Sequence, residues 1–500
     1  MAISFGGSLN STPAPMQQAT ASNYIDFTAS GTNWAQQYLP DLMEKEAEVF
    51  GKRTIAGFLE KVGAEEAMQA DQVIWSEQGR LHLSYKAKVS DTATILVQAD
   101  IDGNTANNSG IHTDVTGNGH GIRVNDTLIV ANSGGVDKVL VTVVSNSTLT
   151  VEPYNSTALA AGIATNSDQD TTILVYGSEF GKGTSYNVEA GNAVTDRRGA
   201  NEPSFQTFSN KPIIMKDYYE VSGSDTSRIG WVEVTSEEGA SGYMWYLKAE
   251  SDTRARFNDY LEMAMIEGEI QTTVGSTDID GSVGIGTAAG GSVGTEGLFA
   301  AVSSRGNMTS GVTGVNAATD LAEFDAILAE FDKQGAIEEY MMFVNRATSL
   351  AMDDMLASMN SYGAGGTSYG VFDNDEDMAL NLGFSGFRRG SYDFYKSDFR
   401  YLNDKSTRGG INAANTAEAI RGIMIPAGTS TVYDQSLGKN LKRPFLHVRY
   451  RASQTDNRKM KTWTTGSVGA ATSALDAMQI HMLSERCLIT QGANNFMLMN

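Results

Sequence analysis

The side chains that most often carry catalysis or bind metals are sparse in this chain. Its 500 residues contain five histidines and one cysteine. His112 and His120 lie eight positions apart in a Gly/Asn-rich stretch, without a third ligand at the spacing that a zinc site needs. His447 and His481 alternate with apolar residues as in strands, which predicts structural histidines with hydrogen-bond partners. Cys487 has apolar neighbours and no nearby histidine, so we expect a buried, unreactive thiol.

Three acidic runs have a composition typical of calcium-binding loops. In residues 373–378, Met378 occupies the position that needs glycine, and in residues 100–105 Thr105 occupies it. Residues 278–281 are too short to match the loop. We expect solvated loops at all three places, with a cation at a subunit interface as the open alternative.

Motifs that bind phosphate or mark a redox site are also missing. Gly284-Ile285-Gly286 has no third glycine at dinucleotide-binding spacing and follows no predicted strand. The chain has no P-loop and no Cys-x-x-Cys pair, and no histidine, serine and aspartate constellation indicates a hydrolase. We therefore predict that the protein is not an enzyme and needs no metal or cofactor.

The charge balance argues against a protein whose main partner is nucleic acid. The chain has 37 basic and 59 acidic residues, a net charge of −22, whereas proteins that bind nucleic acid are normally positive, at least locally. One dense basic cluster stands out, and it consists of Arg449, Arg451, Arg458, Lys459 and Lys461. This cluster could contact nucleic acid, an acidic face of a neighbouring subunit, or only water. The acidic composition favours the neighbouring subunit.

The longest predicted element is a helix over Tyr243–Glu267. This stretch has no glycine or proline, and its apolar residues recur at three- and four-residue spacing. The apolar stripe lapses around Ser251 and Arg254, which is more typical of a strut lying across a sheet than of a helix inside a core. At about 1.5 Å per residue, the helix would be roughly 40 Å long.

Residues 90–181 predict a separate β domain. Their short apolar runs, separated by Gly, Asn, Ser and Asp, are typical of a small barrel or sandwich. The run Thr94–Val97 recurs as Thr172–Val175. This recurrence marks either the first and last strands of an inserted domain or a coincidence in composition.

The N-terminal region has little to bury. Residues 1–33 are small and polar, so we expect an arm in which Phe5, Tyr24 and Phe27 anchor on a neighbouring subunit. The first residues lack the basic start and apolar core of a signal peptide, and no apolar run of about 18 residues occurs. We therefore expect no membrane segment.

In this order, the segments resemble the major capsid protein of tailed bacteriophages, in particular that of crAss-like phages. Herpesvirus shells and encapsulins share this fold. The resemblance is carried by the arm 1–70, the strand pair Val73–Val89 and Phe205–Ser222, the helix Tyr243–Glu267, Phe343–Ala347, Gly386–Gly390 with Leu402–Asp404, and Ile480–Arg486. It covers most of the chain except about 90–180.

The resemblance implies an α+β fold of the tailed-phage capsid type with an inserted all-β domain. The implied regions are an N-terminal arm (1–72), an extended loop (73–89 and 182–235), the inserted domain (90–181), a peripheral domain (236–362 and 471–500, with the spine helix 243–267) and an axial domain (363–470). Besides the aromatic residues of the arm, the implied interface residues are Phe205, Ile213, Tyr218, Arg254, Arg449 and Arg451.

The resemblance also implies a function. Subunits would form hexamers and pentamers of an icosahedral head around packaged double-stranded DNA, without sequence-specific DNA binding. Partners would be further copies of the chain, a portal, a separate scaffolding protein and auxiliary or head-fibre proteins. Assembly would take place in the host bacterial cytoplasm and the product would be the virion. An encapsulin-like cellular shell protein is the nearest alternative, and a β-rich surface adhesin is a more distant one.

Overall fold

A computed structural model describes most of the chain from residue 57 onward. The described residues are 57–59, 64–103, 113–114, 119–160, 162–163, 167–183, 201–202, 205–226, 233–235, 241–271, 294–335, 337–359, 386–414, 419–427, 429–434, 439–468 and 472–500. The predicted features that lie outside them include the aromatic anchors Phe5, Tyr24 and Phe27, His112, Gly284–Gly286, and the acidic runs 278–281 and 373–378.

Strands dominate the described residues and helices are few, as the predicted α+β class requires. The strands up to the long helix are β1 (Ala64–Met68), β2 (Val73–Gln78), β3 (Ser84–Val89), β4 (Thr94–Asp100), β5 (Thr113–Asp114), β6 (Asp126–Asn132), β7 (Gly135–Ser145), β8 (Thr148–Pro153), β9 (Thr171–Ser178), β10 (Asn201–Glu202), β11 (Phe205–Asn210), β12 (Ile213–Ser222), β13 (Glu233–Thr235) and β14 (Ser241–Tyr243).

The second half of the chain carries most of the helices. The helices are α1 (Gly223–Thr226), α2 (Met244–Glu267), α3 (Leu298–Arg305), α4 (Ala317–Gln334), α5 (Arg346–Met359) and α6 (Arg408–Ala414). The remaining strands are β15 (Asn307–Thr309), β16 (Glu339–Val344), β17 (Gly386–Arg389), β18 (Tyr392–Asp398), β19 (Gly422–Pro426), β20 (Thr429–Asp434), β21 (Lys439–Pro444), β22 (Leu446–Arg451), β23 (Lys461–Gly466), β24 (Ala477–Thr490) and β25 (Met497–Met499). None of the described helices is long and apolar enough to cross a bilayer.

The region predicted as an inserted β domain contains a closed barrel. Its strands follow each other around the ring in the order β3, β4, β8, β7, β6, β9, and every neighbouring pair is antiparallel. Alternate residues of β7 point inward. Val139 and Val141 are fully buried, whereas Lys138, which precedes Val139, is exposed. Closure leaves no free edge in the ring, since every strand has two partners.

The barrel begins earlier than the predicted boundary at residue 90. Strand β3 lies in the predicted extended loop, but it pairs with both β4 and β9 and closes the ring. The run Thr94–Val97 therefore lies in the second strand of the barrel, while Thr172–Val175 does lie in its last strand. Residues 122–124, which also look like a strand in the sequence, form none.

A first sheet is built around the long strand β24. The hydrogen-bonding order is β1, β22, β24, β12, and β23 pairs with β24 beside β22. The spine helix, defined here as α2, lies against this sheet: Phe257 and Leu261 are buried and pack on Met482 of β24. The predicted helix over Tyr243–Glu267 is thus present, beginning one residue later.

A second sheet has the strand order β15, β25, β19, β16, β18, β17. The helices α4 and α5 pack on it and bury Phe324, Phe331 and Met352 against residues such as Phe394. A shared core that includes Ile266 of the spine helix joins the two sheets.

The membership of these sheets does not follow the predicted domain boundaries, which remain predictions. Residues 307–359 and 497–499, which we had placed in the peripheral domain, belong to the second sheet and its helices. Strands β22 and β23, which we had placed in the axial domain, belong to the first sheet with the spine helix. The last segment crosses from one to the other, because β24 lies in the first sheet and β25 in the second.

Candidate interaction surfaces

Three of the histidines and the cysteine have structural positions in the part of the chain that is described. The His120 Nε2 atom hydrogen-bonds to a backbone carbonyl at 2.7 Å, and His481 Nε2 pairs with Thr465 Oγ1 at 2.6 Å. His447 is buried. Burial raises the pKa of the Cys487 thiol to about 12, so that the reactive thiolate is disfavoured at neutral pH. No group of three His, Cys, Asp or Glu side chains is placed to hold a metal ion among the described residues.

The basic cluster lies on the first sheet and beside it, and acidic residues of the same chain pair with it. Arg449 on β22 reaches Glu66 on β1 at 2.7 Å. Arg451 and Arg458 both reach Glu485, a buried carboxylate on β24, at 2.8 and 2.7 Å. Because this carboxylate is shielded from water, its pairing with two guanidinium groups is more than a surface contact.

The two lysines of the basic cluster are paired as well. Lys459 forms an ion pair with Glu65 on β1, and Lys461 forms one with Asp456 at 2.8 Å. Carboxylates of this chain thus occupy the place that we predicted for the acidic face of a neighbour. Two of them, Glu65 and Glu66, lie on β1, so the cluster fastens this parallel edge strand to the first sheet.

An aromatic ladder crosses three strands of the first sheet. The His481 ring stacks between Tyr218 and Trp463, with centroid distances of 6.0 and 5.2 Å. The register causes this, because His481 is directly opposite Tyr218 on β12 and Trp463 on β23. Met482 faces the spine helix, so strand alternation turns the ladder to the opposite face. Tyr218 is 56% and Trp463 37% exposed, which leaves a broad aromatic surface uncovered.

The ribbon of β2 and β11 covers the other end of this face. Trp75 of β2 is buried together with Cys487. Phe208 of β11 lies under the guanidinium of Arg305, which is 4.5 Å from its ring centroid. Phe205, a predicted interface residue, is the first residue of β11.

The predicted interface residues divide into different environments. Tyr218 belongs to the aromatic ladder, whereas Ile213 packs against the shared core. Its neighbour Ile214, one of the apolar residues expected to need a partner surface, is the exposed residue of that pair. Arg254 is exposed on the spine helix and pairs with Glu250 at 3.2 Å, one turn earlier. The lapse in the apolar stripe is therefore a solvent-facing stretch of the helix.

Two members of the ladder, His481 and Trp463, are surface residues that the sequence pattern does not identify as such. His481 was predicted to be a structural histidine, which its hydrogen bond supports, but its stacking was not. Trp463 was not singled out. Its position between Thr462 and Thr464 was a usable signal, since β-branched residues around a tryptophan favour a strand with one aromatic face.

Comparison with solved structures returns structures from bacteriophages, among them one that is described as a capsid structure. The capsid structure of the cyanophage P-SCSP1u is 8% identical, with a TM-score of 0.40, over 97% of this chain and 98% of that chain. A structure from Microbacterium phage Oxtober96 is 9% identical, with a TM-score of 0.37, over 94% and 99%. One from Gordonia phage Cozz is 11% identical, with a TM-score of 0.36, over 98% and 97%. No protein-family model and no curated protein matches the chain.

Proposed function

We propose that this chain is the major capsid protein of a tailed phage. Copies of it would assemble into hexamers and pentamers of an icosahedral head that encloses double-stranded DNA. The observation that carries the proposal is the aromatic ladder, a surface of the first sheet that a single chain leaves exposed. The order of segments in the sequence, with its spine helix and extended loop, is the second support.

The ladder fits a contact with further copies of the same chain. Aromatic residues are enriched in protein interfaces because their rings bury a large area and lose little conformational entropy. Tyr218 and Ile214 alternate with inward-facing residues of β12, so they form one outward row beside the stacked rings. In a closed shell the same patch recurs on every subunit, and a modest contact is multiplied around each ring.

The charge distribution fits a shell that encloses DNA without binding it tightly. The chain has a net charge of −22, and its basic cluster is paired with carboxylates of the first sheet and its surroundings. Few cations of this cluster remain for phosphates, and a protein binds DNA without sequence preference mainly through such cations. We therefore propose packaged DNA as the content of the shell and no specific DNA site.

Electron microscopy and light scattering of the purified full chain test the proposal. We expect closed shells of uniform size or hexameric capsomers. A chain that stays monomeric at high concentration would contradict the capsid role. Closed particles that hold a protein cargo and no double-stranded DNA would instead support the encapsulin-like alternative. A portal, a scaffolding protein and auxiliary head proteins are proposed partners, and each should co-purify with particles rather than with monomers.

A further inference from the structure

The barrel carries a cleft that shell formation does not require. It has a volume of about 540 Å³ and opens on the outside of the ring, beside the ends of β8 and β9. Besides Ser178, its lining contains the side chains of Thr127, Lys138, Tyr154, Asn155, Tyr176 and Glu179. This volume falls within the range of about 300–1,000 Å³ that is usual for small-ligand sites.

Two tyrosine rings form the exposed sides of the cleft. Tyr154 is 46% and Tyr176 48% exposed, although both sit on a rigid barrel. The Tyr154 hydroxyl donates a hydrogen bond to the Glu179 carboxylate, and the Tyr154 backbone nitrogen donates to the Lys138 oxygen at 3.0 Å. The Glu179 nitrogen donates to the Asn125 oxygen at 3.0 Å. The cleft is therefore held in shape without a ligand.

Partial burial and the adjacent Glu179 raise the pKa of Tyr154 to about 12. The phenol, which like any tyrosine keeps its proton at neutral pH, orients the carboxylate through this hydrogen bond. The second Glu179 oxygen, the Asn155 amide and the Lys138 ammonium group line the same cleft, and each can hydrogen-bond to a ligand.

The floor of the cleft contains a polar atom without a partner. Thr127 is only 4% exposed, and its Oγ1 atom has no hydrogen-bond partner among the described residues. A Cβ atom at Gly177 would lie 3.3 Å from this oxygen, so a larger residue would crowd the floor. A buried hydroxyl without a partner costs free energy, and a ligand that hydrogen-bonds to it would recover that cost.

We propose that this cleft binds a short oligosaccharide. A pyranose ring offers apolar C–H faces for the two tyrosine rings and several hydroxyls for the carboxylate, amide, ammonium and threonine hydroxyl groups. A nucleic acid fits less well, because one lysine faces its phosphates beside a carboxylate that repels them. The inference does not depend on the proposed capsid role, since the cleft lies entirely within one barrel.

Binding is testable with the full-length chain on a glycan array, followed by saturation-transfer NMR with the di- and trisaccharides that score highest. We expect dissociation constants on the order of 1 mM. The variant Tyr176→Ala should bind about tenfold more weakly, because one stacking face is lost. Tyr176→Phe, which keeps the ring, should bind nearly as well as the wild type.

Tyr395→Ala is the matched control, since Tyr395 is an equally exposed tyrosine on β18 of the second sheet. It should leave saccharide binding unchanged. Two results would overturn the proposal: an array on which no saccharide binds above background, or equal binding by wild type and Tyr176→Ala. Particle formation is scored on the same samples, so a failure of saccharide binding and a failure of assembly are read separately.

Discussion

The barrel and the first sheet differ in how completely they bury their apolar side chains within one chain. The barrel closes on itself, and its large inward residues, among them Tyr85 and Ile95, are fully buried within it. The first sheet is covered by the spine helix on one face and only partly by the ribbon of β2 and β11 on the other. In a closed ring every strand pairs with strands of the same ring. An open sheet with an exposed aromatic ladder instead has an apolar surface that a partner protein can cover.

This difference separates two kinds of residue in the first sheet. The residues under the spine helix maintain the fold, whereas the ladder is available to a partner. In the barrel nearly all the large apolar burial serves the fold of the barrel itself. Substitutions in these three places should therefore fail at different steps, and they give a graded set of tests.

The largest effect is expected under the spine helix. Leu261→Asp places a carboxylate in the contact between Phe257 and Met482, where no partner is provided, and should destabilise the fold by about 4 kcal/mol or more. Thermal unfolding and limited proteolysis measure this. The control Leu475→Asp changes an exposed leucine before β24 and should cost no more than about 0.5 kcal/mol. Equal stability of the two variants would contradict the packing described for the helix.

The next effect separates assembly from folding. Tyr218→Asp should leave the melting temperature of the monomer within a few degrees of the wild type, because the ring is more than half exposed. The new carboxylate should nevertheless prevent shell formation, since it would be buried at the proposed contact. Val136→Asp, an equally simple change on the outside of the barrel, is the control and should assemble normally. Normal shells formed by Tyr218→Asp would show that the aromatic ladder is not part of the subunit interface.

The sequence was sufficient for elements whose pattern is local. The spine helix has one uninterrupted run without glycine or proline, and the strands of the barrel repeat turn residues at short intervals. The sequence pattern does not predict which distant segments pair with each other. Arg451 pairs with Asp71 across 380 positions, so the basic cluster looks unpaired in the sequence although it is paired in the fold. Strand β25, only three residues long, joins the second sheet through partners that its own residues do not indicate.

A smaller effect should appear in the pH dependence of stability. Burial raises the pKa of the Glu262 carboxyl on the spine helix, although hydrogen bonds from the backbone nitrogens of Leu59 and Gly57 oppose the shift. The folded state then binds its proton more tightly than the unfolded state does. The contribution of this group to stability is therefore greatest below the ordinary glutamate pKa and falls as pH rises through the pKa of the folded state.

Glu262→Gln tests this sign, because glutamine is isosteric and does not titrate. Urea unfolding at a series of pH values from about 4 to 7 should show the wild type losing stability relative to the variant as pH rises. Glu339→Gln, at an exposed position at the start of β16, is the control for replacing a surface carboxylate with an amide. A wild type that gains on Glu262→Gln with rising pH would mean that the hydrogen bonds and Arg486 outweigh burial at this site.

The smallest effect on assembly is expected from removing the barrel. Ser84 on β3 is paired with Leu174 on β9, so the chain enters and leaves the ring on neighbouring strands. An Asn-Gly turn that joins Ser84 directly to Leu174 would replace residues 85–173 with a two-residue hairpin, for which this dipeptide is well suited. If the barrel is a self-contained insertion, the shortened chain should fold and form shells like those of the full chain. Aggregation or monomers alone would show that the barrel contributes contacts that the rest of the molecule needs, and the contrast between a closed ring and a shared sheet would then be wrong.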